Sequence, residues 1–280
     1  MWIWMALASA ILLGIYDIAK KVALNNNGVY NILLVATALS AVFVSPFITL
    51  GSFPDHLRLI FKAILVTASW VSGMIALQLL PITTVSTFKT SRPMFVVLFS
   101  ILLFGERLNW LQWIGVAAVL LALWLLSVSS SREGISFKGN RGFWALVVSV
   151  FTGVASALWD KHIMADMQPL FVQSWTNIYI TLLLAITILV RNRHGKREPF
   201  KWDWTLVLVA VLITGADMLY FFSLKADGSL LSVISLIRRS SVIITFALGA
   251  VLFKEKRIAQ KAGVLALMLA GVTVLMMGSL

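Results

Sequence analysis

The chain has 280 residues, 60% of them hydrophobic and only 12% charged, a balance outside that of ordinary soluble domains and typical of chains threaded repeatedly through a bilayer. Its formal net charge is +12, with 23 Lys and Arg against 11 Asp and Glu; loops of membrane proteins carry such an excess to set their orientation, so the expected partner is a lipid bilayer and not nucleic acid. Cysteine is absent and His56, His162 and His194 are scattered, which excludes disulfides and thiolate clusters and leaves no metal-ligand spacing.

Windows long enough to cross a core of about 30 Å at about 1.5 Å per residue begin at 2–20. No basic residue precedes this first one, so it reads as a retained helix, although Ala8-Ser9-Ala10 has the small-x-small form of a cleavage site. Further windows fall at 30–50, 60–80, 82–104 and 110–128, and, after a polar link from Ser129 to Arg141, at 142–162, 170–190, 204–224, 229–253 and 259–279. Pro46, Gly51, Pro54, Pro81, Pro169 and Pro199 mark joints, and Trp2, Trp4, Trp110, Trp113, Trp202 and Trp204 lie where an interfacial aromatic belt belongs. The expected fold is therefore an all-α integral membrane protein of ten transmembrane helices. Residues 1–128 and 142–280 form two five-helix halves, and 129–141 is the linker.

The halves echo one another. Thr83, Ser86, Lys89 and Glu106 recur at one constant offset as Ser232, Ser235, Arg238 and Glu255; Tyr16-Asp17 resembles Trp159-Asp160; and the stripe Gly115, Ala118, Ala122 recurs as Gly263, Ala266, Ala270, allowing close helix approach. An odd number of spans per half makes equivalent helices enter from opposite sides. The repeats are thus expected to be inverted, a construction suited to alternating access with substrate near the midplane.

Bases inside these windows carry the functional signal. Lys89 and Arg92 lie about 10 Å and about 15 Å into the fourth segment, and Arg238 and Arg239 lie near the middle of the ninth. A basic residue facing hydrocarbon costs roughly 2.5–3.5 kcal/mol on insertion scales, so the economical place for them is a water-filled cavity between the halves. Lys89, Arg92, Arg238 and Arg239, with Ser86 and Ser235, are the candidate substrate-binding residues; the alternative is a buried charge network that fixes helix register. Pro93 removes a backbone hydrogen bond and breaks the fourth helix locally. Asp217, Asp17 and Asp160 are candidate coupling sites or counter-ions, and Tyr16, Trp70, Trp159 and Tyr220 candidate cavity-lining aromatics. Glu106 and Glu255 close helices, as caps or solvated loop charges.

Phe104-Gly105-Glu106-Arg107 and Phe253-Lys254-Glu255-Lys256, followed by Gln112-x-x-Gly115 and Gln260-x-x-Gly263, resemble the EamA-type members of the drug/metabolite transporter superfamily over essentially the whole chain. The resemblance implies a ten-helix secondary transporter. Its third, fourth, eighth and ninth helices, with the first and sixth, surround a central cavity, and the fifth and tenth are peripheral. Phosphate translocators of that superfamily hold anions with bases on the fourth and ninth helices, and Lys89 with Arg238-Arg239 looks like that arrangement.

The expected function is secondary transport of a small organic anion, phosphorylated metabolites included, across a bacterial inner membrane. The alternative is export of amino acids or other amphipathic metabolites, with proton coupling at Asp217. No enzyme motif (DDxxD, HExxH, GxSxG or a P-loop) is present, and no cofactor is expected; monomer and homodimer both stay open. Loop charge after the first, fifth, seventh and ninth helices, including Lys20, Lys21, Arg191, Arg193 and Lys254, outweighs that on the opposite face, where Arg58, Lys62 and Arg107 lie. The positive-inside rule then places both termini outside, against the cytoplasmic termini that the resemblance implies.

Overall fold

A computed structural model describes residues 2–95, 99, 109–131, 139–163, 166–195, 197–225, 237–238, 240–255 and 258–278. The described residues are helical, without a strand: α1 (Trp2–Ala23), α2 (Val29–Val44) with a 3-10 turn at Ser45–Phe47, α3 (Phe53–Leu79), α4 (Ile82–Lys89), α5 (Trp110–Ser131), α6 (Arg141–Ile163), α7 (Pro169–Arg193), α8 (Trp204–Lys225), α9 (Ser241–Leu252) and α10 (Ile258–Met277). Among them, seven helices are long and apolar enough to cross a membrane, and the apolar stretches Trp204–Tyr220 and Ser241–Leu252 are shorter. The chain is an integral membrane protein by this composition and length.

Local chemistry sets the helix starts. Asp55, in the first turn of α3, accepts from the Ser52 N–H at 3.3 Å and the Ser52 hydroxyl at 2.6 Å, and Pro169 opens α7, where its missing N–H costs nothing. The expected fourth helix is interrupted: α4 ends at Lys89, Thr90 and Ser91 form a turn, and helix resumes at Arg92. The Ser91 hydroxyl donates to the Phe88 carbonyl at 2.7 Å and the Met94 N–H to the Ser91 carbonyl at 3.1 Å. At the offset that relates Lys89 to Arg238, the Ser240 hydroxyl donates to the Ile237 carbonyl at 2.6 Å and the Ile243 N–H to the Ser240 carbonyl at 2.9 Å. The second site has Val242 where the first has Pro93. A serine hydroxyl answering the freed carbonyl is therefore the shared device, and proline only reinforces one copy.

Helices pack in a reciprocal pattern. α1 lies on α8 as α3 lies on α6, α2 touches α8 as α3 touches α7, and α2 with α7, α4 with α9 and α5 with α10 pair directly. Exchanging each helix with the one five places on returns these pairings, which include the most extensive ones. α3 and α6 run antiparallel, since Lys62 meets Asp160 where Ser69 meets Ser149.

One expectation needs correcting. The stripe Gly115, Ala118, Ala122 does face α10, but Gly263, Ala266 and Ala270 point outward, and the inward face of α10 is Lys261, Val264, Leu265, Met268, Gly271, Val272 and Leu275. Gly271, not Gly263, is the glycine that α5 meets. A β-carbon at Gly115 would lie 2.7 Å from the Leu275 nitrogen and 2.8 Å from the Gly271 oxygen, whereas one at Gly263 would meet nothing within 4 Å. Gly115→Val should destabilise the detergent-solubilised protein by about 1–3 kcal/mol through overpacking, read as a lower thermal midpoint, while Gly263→Val leaves it unchanged. Equal losses at the two positions would contradict this seam.

Candidate functional site

Halfway along the bundle, helices that are apolar elsewhere turn polar toward one another. Thr37 and Ser40 on α2, Gln173 and Asn177 on α7, and Thr214 and Asp217 on α8 surround a void that Tyr16 and Trp70 also line. The spacings i, i+3 and i, i+4 put each polar pair on one helix face. Thr214 ties α8 to α2 by donating to the Ser40 hydroxyl at 2.8 Å. The void measures about 10 Å³, roughly room for one water.

The bases stand around this void without lining it. Arg238 donates through Nη2 to Asp217 Oδ1 and through Nε to the Ser9 hydroxyl at 3.2 Å, and its guanidinium carbon lies 4.2 Å above the Tyr220 ring. Ser9 in turn donates to the Ala216 carbonyl at 2.7 Å, locking α1 to α8. Arg92 repeats the theme between α3 and α6: its Nη2 donates to the Ser69 hydroxyl at 3.1 Å and to the Ser149 carbonyl at 3.0 Å, and the Ser149 hydroxyl donates to the Ser69 carbonyl at 2.7 Å. Gly153 makes room for it, because a β-carbon there would lie 2.7 Å from the guanidinium carbon. Each arginine is thus seated on a serine-to-carbonyl bond that clamps two helices.

Lys89 is different. A β-carbon at Gly73 would lie 3.0 Å from its ammonium, which places the charge one helical turn along α3 from Trp70. Among the described residues it makes no hydrogen bond or ion pair. Asp17, Lys20 and Arg92 lie within electrostatic range. Asp17 is held by Lys20 at 2.6 Å and by the Thr245 hydroxyl at 3.3 Å, and the Lys20 ammonium also sits 4.0 Å over the Tyr16 ring.

The remaining expected residues are placed as follows. Asp160 pairs with Lys62 at 2.5 Å, and Trp159 donates to the Arg58 carbonyl at 3.1 Å and packs on Phe61, toward the far end of α6 from Ser149. Neither Trp159 nor Tyr220 lines the void. Ser86 is buried and donates to the Thr83 carbonyl within α4 at 3.1 Å. Ser235, Arg239, Ser232 and Glu106 lie outside the described residues.

Glu255 departs from a solvated loop charge. It is 8% exposed, accepts the Ile82 N–H at 2.7 Å and the Thr83 hydroxyl, and stands 3.6 Å from Lys261. It caps α4 from the opposite half of the chain. Lys20, Lys62 and Lys261 likewise differ from loop charges: their side chains are 11%, 12% and 0% exposed. What sequence reading missed was Thr37, Ser40, Gln173, Asn177 and Thr214, uncharged polar residues whose helical spacing inside apolar windows was the available signal. Among the described residues no group of three or more His, Cys, Asp and Glu could hold a metal ion.

The family model described as the EamA-like transporter family matches residues 1–128 and 140–277. No curated protein matches the sequence. A solved structure described only as "Crystal structure of protein" superposes with a TM-score of 0.66 at 15% identity, over 98% of this chain and 95% of that one; at that identity the likeness concerns the fold alone.

Asp217→Asn leaves the Arg238 charge unanswered inside the bundle and should lower stability by about 2 kcal/mol, since breaking a partly buried pair strands its partner. Adding Arg238→Gln should restore most of the thermal midpoint. A double variant as unstable as the single one would show that the pair does not act as a unit.

Proposed function

The chain belongs to the EamA-like transporter family of the drug/metabolite transporter superfamily, and on that premise we propose that it is a secondary transporter moving a small organic anion by alternating access. The carrying observation is Lys89, an ammonium in the middle of a membrane bundle with no hydrogen bond or ion pair among the described residues. Holding such a charge away from bulk water is costly unless an anion joins it. A substrate carboxylate or phosphate at Lys89 is that anion, and the amides and hydroxyls around the void supply its remaining hydrogen bonds.

The architecture proposed is ten spans in two inverted halves, residues 1–128 and 142–280, joined by 129–141. The exchange symmetry of the helix contacts supports it. So does helix direction: Lys21 at the end of α1 donates to the Leu77 and Leu80 carbonyls at the end of α3, making α1 and α3 parallel, while α6, the counterpart of α1, runs against α3. Rocking of one half on the other would open the void to each side in turn. The excess of positive charge at the Lys20, Lys21 and Arg191 face favours that face as cytoplasmic, in the inner membrane of a bacterium. The arginines Arg92 and Arg238 serve in this reading as seats for the helix clamps that border the site, with Arg239 and Ser235 as further substrate contacts.

A second reading rests on Asp217, the one carboxylate lining the void among the described residues: an amino acid would set its carboxylate at Lys89 and its amine toward Asp217, as an exporter of amphipathic metabolites requires. Proteoliposomes preloaded with phosphorylated metabolites or with amino acids separate the two by which counter-substrate drives exchange. Lys89→Gln should reduce uptake at least tenfold and Lys89→Arg should retain part of it, with the thermal midpoint of Lys89→Gln at or above that of wild type because an unpaired charge has been removed. Wild-type rates in Lys89→Gln would remove the anion site.

A further inference from the structure

Outside the central void, the surface end of α7 carries a cavity of about 240 Å³ between α2 and the loop leading to α8. The loop is pinned in place: the Gly28 N–H donates to the Pro199 carbonyl at 2.9 Å, the Lys201 N–H to the Asn27 side-chain oxygen at 2.7 Å, and the Asn31 amide to the Pro199 carbonyl at 3.1 Å. Gly28 has to be glycine for this approach, because any β-carbon there would collide with Glu198.

The acids here are already committed to helix starts. Glu198 accepts the Tyr30 N–H of α2 at 3.0 Å, and Asp203 accepts the Thr205 N–H of α8 at 3.1 Å. Arg191 donates to Glu198 at 3.3 Å with its guanidinium carbon 4.4 Å over the Tyr30 ring. Arg197, which lines the cavity, is exposed and makes no hydrogen bond or ion pair among the described residues. Arg193 and Lys201 add exposed positive charge beside it.

Ile188 and Phe200 also line the cavity, and Leu189 and Val190 of the same helix end and Trp202 and Trp204 after the loop are half exposed or more, as side chains at a hydrocarbon boundary are. A pocket lined by both guanidinium and apolar side chains at the edge of the apolar surface matches a molecule that is itself anionic at one end and apolar at the other. We propose that this cavity binds the headgroup of an anionic phospholipid of the surrounding bilayer, its phosphodiester against Arg197 and Arg191 and its acyl chains along Ile188 and Phe200. A zwitterionic headgroup brings its own cation to a place where both acids are taken, and a soluble anion leaves the apolar side chains unused.

The test is native mass spectrometry of the purified full chain, titrated with dioleoylphosphatidylglycerol or dioleoylphosphatidylcholine, alongside thermal shifts with the same lipids and with inorganic phosphate. Phosphatidylglycerol should be retained in preference to phosphatidylcholine, and Arg197→Gln should weaken its binding roughly fivefold, the contribution of one basic residue at an anionic surface. The lipid-free midpoint of that variant should match wild type, and Lys89→Gln should bind the lipid as wild type does. Equal retention of the two lipids, undiminished binding by Arg197→Gln, or a phosphate shift as large as that of phosphatidylglycerol would overturn the lipid assignment. Loss of binding in Lys89→Gln would place the lipid in the central site instead.

Discussion

Inside a bilayer there is no water to complete a broken hydrogen-bond ladder, so each carbonyl that a helix gives up has to be answered by another group of the protein. Among the described residues serine hydroxyls do that work at the interruptions and at the helix contacts that border the void. Ser91 and Ser240 answer the carbonyls freed where the fourth and ninth segments are interrupted, and Ser9 and Ser149 reach across to carbonyls of the facing helices. The arginines then dock on hydroxyls already held in place. Take the hydroxyls away and the breaks, the helix clamps and the seats of Arg92 and Arg238 go together.

Much of this was legible in the sequence because it depends on residue type at fixed spacing. The offset relating Lys89 to Arg238 has a physical counterpart in matching turns at Ser91 and Ser240, and seven of the apolar windows correspond to described helices long and apolar enough to cross a membrane, because length and hydropathy decide what crosses hydrocarbon. The illegible part is rotational. A stripe such as Gly263, Ala266, Ala270 has the right spacing for packing, yet which face of α10 turns inward is decided by its neighbours, and Gly271 and Leu275 take that place against Gly115. Lys62 and Lys261 read as loop charges for a similar reason: only the three-dimensional arrangement brings Asp160 and Glu255 to them. The void itself is built from Thr37, Ser40, Gln173, Asn177 and Thr214, neutral residues whose signal in a sequence is weak beside that of a charge.

Both ends of the bundle are tied across the two halves. At one end Lys62 joins Asp160, Trp159 reaches the Arg58 carbonyl, and Trp175 donates to the Thr49 carbonyl at 3.0 Å while His56 Nδ1 and the Tyr179 hydroxyl share a hydrogen bond of 2.8 Å. At the other, Glu255 holds the start of α4 and Glu198 holds the start of α2. These ties are polar, and the Lys62 and Glu255 side chains within them are only 12% and 8% exposed. The hydroxyl clamps lie between them along the bundle.

The cap on α4 also bears on how the molecule is made. Ile82 begins a helix whose first N–H is satisfied by a side chain 173 residues further along, and the same carboxylate accepts the Thr83 hydroxyl. Glu255 is synthesised only with the ninth segment, so until then the start of the fourth lacks the partner it has in the finished chain. Assembly of the first half is in this respect finished by the second, and a truncated product lacking its last two segments would display an open helix start for quality-control machinery to detect.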